Sequence, residues 1–290
     1  MTPFVPPSQL HPAVKYCQDL LPVLGELAQQ FQTFVPILER VCRCWRHMVL
    51  SYRTAVAPML PELADKLVAG FTATRQGCFL WATDAIVREF SEHAEDLDPN
   101  LSQSVLPFYE QQASSFLHAL SEVHGEQLQD LIEDFFRLTI DVLQNHTNRA
   151  ITSNLMGSIF AAACHALSLL KLEVLMVTLH FLRDFIGYGS SNPPGSRLLD
   201  EPQLTNPPEI QAKVKQLLAE HGQNLTQRVL TGMMYSFPED CIPDASGVVL
   251  DMLRVLPEQT GTWISGTLVQ LPSGAIRPQE REKLVSQIEK

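Results

Sequence analysis

The chain has 290 residues, which is long enough for two ordinary domains or one extended helical array and for a large hydrophobic core. Hydrophobic residues make up 45% of it and charged residues only 18%, which excludes a natively disordered chain, because such chains have too little apolar surface to fold. The net charge of -11 and the isoelectric point of about 5.2 argue against direct nucleic-acid binding and favour a basic protein partner.

The cysteines and the first residues indicate an intracellular protein with reduced thiols. Six cysteines occur without a CxxC pair, and most lie in apolar stretches where a thiol behaves as a small hydrophobic group. The residues after Met1 contain neither a basic leader nor an apolar core, so we expect no secretory signal. Lys171 and Glu173 interrupt the longest apolar stretch, so we expect buried helices there and no membrane span.

Apolar residues recur at helical spacing along almost the whole chain. Alternation typical of β-strands is not sustained anywhere, and the breaks fall at Pro, Gly and Asn clusters, so the pattern predicts an all-α protein. The longest break is a Pro/Gly-rich loop at 187–208, which we interpret as a loop within one domain. The predicted helices cover residues 12–31, 34–54, 58–75, 77–93, 101–121, 126–146, 151–168, 171–188, 208–221, 223–236, 244–256, 258–271 and 278–289.

An arginine recurs at nearly constant intervals in what we predict to be the second helix of successive pairs. The intervals are 45, 49, 46 and 45 residues, between Arg43, Arg88, Arg137, Arg183 and Arg228. A period of roughly 40 to 50 residues made of two antiparallel helices is typical of HEAT repeats. We therefore predict an α-α superhelix, a HEAT-repeat solenoid of about six helix pairs, as a single array over residues 1–290. A four-helix bundle is the alternative, but it does not require this register.

Residues able to carry catalysis or bind a metal or cofactor do not form a recognisable pattern. The histidines form no HExxH motif and no pair beside cysteines at zinc spacing. Cys42 and Cys44 point about 200° apart on a helix, and Ser168 and Lys171 match the SxxK letters in a very apolar segment where a chance match is the simpler interpretation. We predict that the protein is not an enzyme and binds neither metal nor cofactor.

Charge is distributed unevenly, and arginine is concentrated on one predicted helix. Between Asp84 and Asp141 there are thirteen acidic residues against two arginines. The predicted helix 34–54, which precedes this stretch in the sequence, carries four arginines within roughly 140° of its circumference, at 100° per residue. We call them the arginine face: Arg40, Arg43, Arg46 and Arg53. The predicted opposite face is apolar and contains Val41, Cys42, Cys44, Trp45, Met48 and Val49.

Two interpretations of the arginine face are open from the residues alone. An ordinary solvated helix face, with Arg43 paired to Glu39 four residues earlier, is the common case. The use of arginine and not lysine instead favours planar, bidentate recognition of phosphate or carboxylate groups.

Several motifs together resemble one family. The first motif is the run Glu39-Arg-Val-Cys-Arg-Cys-Trp-Arg46, and four segments follow it later in the chain. In order and spacing they resemble the C-terminal HEAT array of the transportin-SR branch of importin-β nuclear transport receptors. This branch includes the fungal mRNA transport regulators. The later segments are Gly77-Cys-Phe-Leu-Trp81, Phe135-Phe-Arg-Leu-Thr139, Phe181-Leu-Arg-Asp-Phe185 and Trp263-Ile-Ser-Gly-Thr-Leu-Val-Gln-Leu-Pro272.

This resemblance implies a karyopherin that shuttles between nucleus and cytoplasm and imports Arg/Ser-rich (RS) RNA-binding proteins. It implies that Arg43 and Arg46 grip the phosphorylated RS segment; the family's next arginine falls on Leu50, and Arg53 lies one turn further. Nucleoporins and Ran-GTP are the other implied partners. Ran recognition in the family depends on N-terminal repeats, so the main Ran site is expected outside this chain.

An RS segment alternates arginines with phosphoserines, so its receptor needs acids as well as arginines. One repeat of 45 residues after His47, Leu50 and Arg53, the sequence places Glu92, Glu95 and Asp98, and we predict that Glu92 and Glu95 contact cargo. A HEAT scaffold outside nuclear transport, such as a phosphatase regulatory subunit, is the alternative function.

Overall fold

The computed structural model describes residues 12–92, 99–192, 194, 205–271, 279, 283 and 286. Within these residues all regular secondary structure is helical, with short 3-10 turns at Arg53–Met59, Gly125–Gln127 and Glu239–Cys241. The α-helices are α1 (Pro12–Gln30), α2 (Val35–Tyr52), α3 (Leu60–Thr74), α4 (Cys78–Glu92), α5 (Pro99–Glu122), α6 (Gln129–Asn145), α7 (Thr147–Thr152), α8 (Met156–Ala166), α9 (Leu172–Gly187), α10 (Pro208–Tyr235), α11 (Ile242–Val255) and α12 (Pro257–Gln270).

The predicted all-α fold is confirmed, and most helix ends agree with the prediction to within a few residues. Seven of the described helices, α1, α2, α3, α5, α10, α11 and α12, have a proline in their first two positions, where the missing N–H has no helical acceptor in any case. The predicted helix 151–168 is divided at residues 153–155 into α7 and α8. The predicted helix 278–289 lies outside the described residues apart from the helical positions 279, 283 and 286.

The chain divides into two compact units. Unit 1 contains the described residues up to His124 together with Arg137–Thr147, and unit 2 contains Gly125–Phe136 and the described residues from Asn148 onwards. In unit 1, α1 packs on α3 and α3 on α5, while α2 packs on α4. In unit 2, α8 packs on α10 and α10 on α12, while α9 packs on α11. First helices therefore stack on first helices and second helices on second helices, as in helical-repeat proteins.

The predicted break between residues 221 and 223 is wrong, because α10 runs unbroken from Pro208 to Tyr235. A glycine at this place suggested a helix end, but Gly222 is buried in the middle of α10, where the Trp263 ring of α12 occupies the space of a Cβ atom. The glycine therefore allows two first helices to approach closely. As a consequence Arg228 lies on a first helix, and the arginine register does not extend into α11.

The Gly222 contact predicts opposite effects for two glycine substitutions. Gly222→Leu should lower the free energy of unfolding by about 1 to 3 kcal/mol, because the new side chain displaces Trp263. Gly266→Ala in α12 is the matched control, since a Cβ there meets nothing within 4 Å and should raise stability by about 0.5 to 1 kcal/mol. Urea unfolding followed by circular dichroism measures both, and an unchanged midpoint for Gly222→Leu contradicts the account.

The loop after α9 is tied to the start of α10 by one side chain. The Asn206 Nδ2 group donates to the backbone oxygens of Ser190, at 2.9 Å, and Asn192, at 3.1 Å. The remainder of the predicted loop 187–208 lies largely outside the described residues. None of the described helices is both long and apolar enough to cross a membrane.

Candidate functional site

Helix α2 has one buried face and one solvent-exposed face. Its buried side chains, which include Val41, Trp45 and Val49, are at most 9% exposed, and α2 packs on α4. The Trp45 and Phe79 rings lie 6.5 Å apart between their centroids and are part of this contact. The predicted apolar face is therefore confirmed with one correction: Cys44, placed on it by the helical wheel, is exposed, because it lies at the edge of the apolar sector. All six cysteines are free thiols.

The exposed face of α2 carries the arginines. Arg40 and Arg43 are exposed and Arg46 is half-buried. The predicted Glu39–Arg43 pair is present, with Nη2 and Oε2 3.7 Å apart and 62% of the Arg43 side chain exposed. This distance is longer than a hydrogen bond, so the guanidinium keeps its donors available to a ligand.

Arg53 occupies a different position from the other three arginines. α2 ends at Tyr52, one residue before Arg53, and Arg53 follows with φ of 49° at the start of the 3-10 turn. Its Nε lies 3.5 Å from Oε1 of Glu89 on α4, a side chain that is only 9% exposed. Arg53 is therefore tied to the neighbouring second helix, beyond the end of α2.

The structure does not describe the side chains of the two acids predicted from the repeat spacing. Glu92 is the last residue of α4, and its side chain is outside the described part of the chain, as is all of Glu95. Their role in cargo binding stays a prediction. Besides Glu39 on α2, the structure places Glu89 and Asp84, both on α4, near the arginines.

Asp84 is part of a carboxyl pair that the sequence did not reveal. Its carboxyl group lies beside that of Asp141 on α6, and Arg46 and Arg88 are close enough to act on it electrostatically. The pKa of Asp84 is raised to about 8. Desolvation is the largest cause, the hydrogen bond and the charge of Asp141 also raise this pKa, and the two arginines lower it. At neutral pH the pair therefore shares a proton. Arg88, four residues after Asp84 in the sequence, attracts it electrostatically, but the main partner of Asp84 is Asp141.

This carboxyl pair predicts a pH-dependent stability that Asp84→Asn removes. Between the unfolded pKa near 4 and the raised folded pKa, the folded state binds more protons than the unfolded state, so stability falls as pH rises, by up to about 1.4 kcal/mol per pH unit. Urea unfolding at about pH 5 and pH 8 should show Asp84→Asn gaining stability over the wild type at the higher pH, because the amide carries no charge. An equal pH dependence in both proteins contradicts the pairing.

Ser168 and Lys171, which match the SxxK letters, have separate hydrogen-bond partners. The Ser168 hydroxyl donates to the His165 carbonyl at 2.7 Å, whereas Lys171 Nζ donates to Asp130 at 2.6 Å and to Glu133 at 3.0 Å. The two carboxylates raise the pKa of Lys171, so its amine stays charged and is a poor base. Within the described ranges, His, Cys, Asp and Glu side chains form no cluster that could hold a metal ion.

Comparison with known proteins gives consistent matches. Residues 11–117, which include the arginine face, match the family model described as the Transportin-3/Importin-13 fourth TPR domain. The chain is 31% identical over 98% of its length to an uncharacterized protein of Schizosaccharomyces pombe, of which it covers 29%. It is 25% identical over 87% of its length to mRNA transport regulator MTR10 of Saccharomyces cerevisiae, of which it covers 27%.

A solved structure gives the same result for the fold. Importin13 in its cytosolic state superimposes with a TM-score of 0.74 at 17% sequence identity, over 99% of this chain and 30% of that one. The fold of the chain is therefore that of a helical-repeat protein. Its sequence is similar to the Transportin-3/Importin-13 domain over residues 11–117 and to MTR10 over most of its length. The chain spans less than a third of the length of each matched protein.

Proposed function

We propose that this chain is the cargo-binding part of a nuclear import receptor whose cargo is RS-rich RNA-binding protein. The observation that carries the proposal is the arginine face on α2, inside the region that matches the Transportin-3/Importin-13 model. Three of its arginines follow one side of a single helix, two of them exposed and the third half-buried. A phosphorylated segment lying along α2 can receive charge-assisted hydrogen bonds from successive guanidinium groups.

The packing of α2 supports a recognition role. Its apolar face, anchored by Trp45 and Val41, is held by the rest of unit 1, so the arginines project from a rigid element and not from a loop. Arg43 pairs with the partly exposed Glu39 at 3.7 Å, whereas Arg53 pairs with the buried Glu89 at 3.5 Å. The Glu39–Arg43 pair at the surface is easily exchanged for a phosphate contact, because exposed ion pairs contribute only about 0.2 to 1 kcal/mol.

Acids beside the arginine face supply the complementary half of the proposed site. Glu89 lies against Arg53, and the Asp84–Asp141 pair lies within electrostatic range of Arg46. Arginines of an RS segment would be attracted by these carboxylates while its phosphoserines contact α2. We propose Glu92 and Glu95 as further acidic contacts on the sequence argument.

The other proposed partners are those of nuclear transport receptors in general. We propose that the full-length receptor shuttles between nucleus and cytoplasm, binds Ran-GTP mainly outside this chain and contacts nucleoporins. We also propose, from the repeat spacing of Arg43, Arg88, Arg137 and Arg183 in the sequence, that residues 1–290 form one C-terminal array. The acidic charge of -11 fits a basic protein cargo and not direct nucleic-acid contact.

An import assay separates a transport receptor from a HEAT scaffold. Permeabilised cells receive the full-length receptor, Ran, an energy source and a fluorescent protein fused to an RS segment. Nuclear accumulation that depends on the receptor supports the proposal. A receptor that binds the RS fusion but does not accumulate it in the nucleus favours the scaffold, and one that does not bind it overturns the cargo assignment.

A further inference from the structure

Unit 2 contains a cavity that is separate from the arginine face. Its volume is about 950 Å³, and it is lined by α9, the loop that follows α9, α10 and α11. This volume is at the upper end of ordinary ligand pockets. Seven of its lining side chains are titratable: His180, Arg183, Asp184, Lys215, Asp244, Asp251 and Arg254.

The acids of the cavity lie deeper than its cations. Asp184 is 9% exposed and Asp251 15%, whereas Arg183 is 51% exposed and Arg254 71%. Arg183 is held between two carboxylates, with Nη1 3.2 Å from Asp244 and Nε 3.9 Å from Asp251. Arg254 donates from Nη1 to Asp251 at 2.7 Å. Each guanidinium has five N–H donors, so both keep donors for a ligand while the carboxylates fix their orientation.

Two further cations line the same space. Lys215 on α10 has no ion-pair or hydrogen-bond partner among the described residues. His180 on α9 is half exposed and lies 3.5 Å from Asp184. The Asp184 carboxylate raises the pKa of His180 through a hydrogen bond, with a smaller contribution from Asp244, against desolvation and the charge of Arg183. The side chains that meet a ligand first include Arg183 and Arg254, which are cationic.

One glycine shows how closely Arg183 is seated. A Cβ on Gly247 of α11 would lie 3.0 Å from the Arg183 Nε atom, so the absence of a side chain lets the guanidinium rest on the α11 backbone. The position of Arg183 is thus determined by the backbone of one helix and by two carboxylates. A cation held in this way loses little conformational freedom when it binds an anion.

We propose that this cavity binds oxyanion groups, phosphate or carboxylate, carried by an extended segment of a partner protein. A single phosphate fills a small part of about 950 Å³, whereas a peptide with several anionic groups can contact cations on all three helices. The site is distinct from the arginine face, and the inference does not depend on the proposed function.

Fluorescence anisotropy with three labelled peptides tests the inference. Each peptide has three variable positions separated by glycines, and none contains arginine. The variable positions are phosphoserine in the first peptide, glutamate in the second and unmodified serine in the third. The protein is the full chain with Arg43→Ala and Arg46→Ala, so that the arginine face does not contribute. At low salt the phosphoserine or glutamate peptide should bind and the serine peptide should not, and whichever binds more tightly identifies the anionic group.

Cavity variants in the same background locate the binding site. Arg183→Gln with Lys215→Gln should weaken binding at least about tenfold, while Lys213→Gln, on α10 but outside the cavity, should have no effect. Lys215→Gln alone should weaken peptide binding about threefold. This variant breaks no ion pair within the described residues, so its weaker binding is not explained by a loss of folding. Failure of both anionic peptides to bind, or equal binding by the Arg183/Lys215 variant, overturns the inference.

Discussion

A chain with Arg43→Ala and Arg46→Ala should bind a phosphorylated RS peptide at least about tenfold more weakly than the wild type. Each charge-assisted hydrogen bond to a phosphate contributes roughly 1.5 to 3 kcal/mol before screening by salt, and two of them are removed. Stability should hardly change, because Arg43 is 62% exposed and its 3.7 Å pair with Glu39 is worth about 0.3 to 0.5 kcal/mol. Isothermal titration calorimetry gives the affinity, and circular dichroism confirms the fold.

Arg43→Lys with Arg46→Lys shows whether phosphate binding depends on positive charge alone or on bidentate hydrogen bonding. Lysine keeps the positive charge but cannot form two parallel hydrogen bonds to one phosphate. Recovery of most of the affinity indicates point-charge attraction, while recovery of little of it indicates bidentate binding. In either case wild-type affinity should fall as salt increases, because the Debye length is only about 8 Å at physiological ionic strength.

Arg88→Gln is the matched control for this prediction. Arg88 is also an exposed arginine on a second helix, α4, but it faces Asp84 and does not belong to the arginine face. Its replacement should leave RS-peptide affinity nearly unchanged. If the Arg43/Arg46 variant binds as tightly as the wild type while folded, the arginine face is an ordinary solvated surface.

The fold was predictable from sequence wherever a local signal and the packing agreed. Proline at helix starts and apolar spacing located α2, α3, α11 and α12 closely. The prediction was wrong at Gly222, because a glycine that ends a helix and a glycine that admits a neighbouring ring look the same in one sequence. Only the packing of α12 on α10 distinguishes them.

The site was predictable only in part, for a similar reason. The exposed positions of Arg40 and Arg43 follow from the period of one helix. The Asp84–Asp141 pair and the Arg53–Glu89 pair join residues 57 and 36 positions apart, on neighbouring second helices or at their ends. Their proximity depends on the exact offset between stacked helices, and a repeat period that varies from 45 to 49 residues does not determine it. The sequence alone therefore does not indicate which of the thirteen acids between Asp84 and Asp141 lie near the arginines.

An aromatic cluster stabilises unit 2 and supports the cavity helix α9. Phe181 is fully buried, with its ring centroid 5.1 Å from that of Phe136 and 5.9 Å from that of Phe185. Phe185 in turn lies 5.1 Å from Phe160 on α8. Phe181 sits between His180 and the Arg183–Asp184 pair in the sequence of α9, so its packing fixes the helix that presents these cavity residues.

Phe181→Ala should lower the free energy of unfolding by about 3 to 5 kcal/mol, because it removes a buried ring and leaves a cavity between Phe136 and Phe185. This is a large share of the roughly 5 to 15 kcal/mol that stabilises an ordinary domain. Phe181→Leu should cost clearly less, since leucine fills part of the space. Tyr235→Ala, at a side chain that is 55% exposed, should change stability by no more than about 0.5 kcal/mol. Urea unfolding measures all three, and a loss below about 1 kcal/mol for Phe181→Ala would mean that the cluster does not stabilise unit 2.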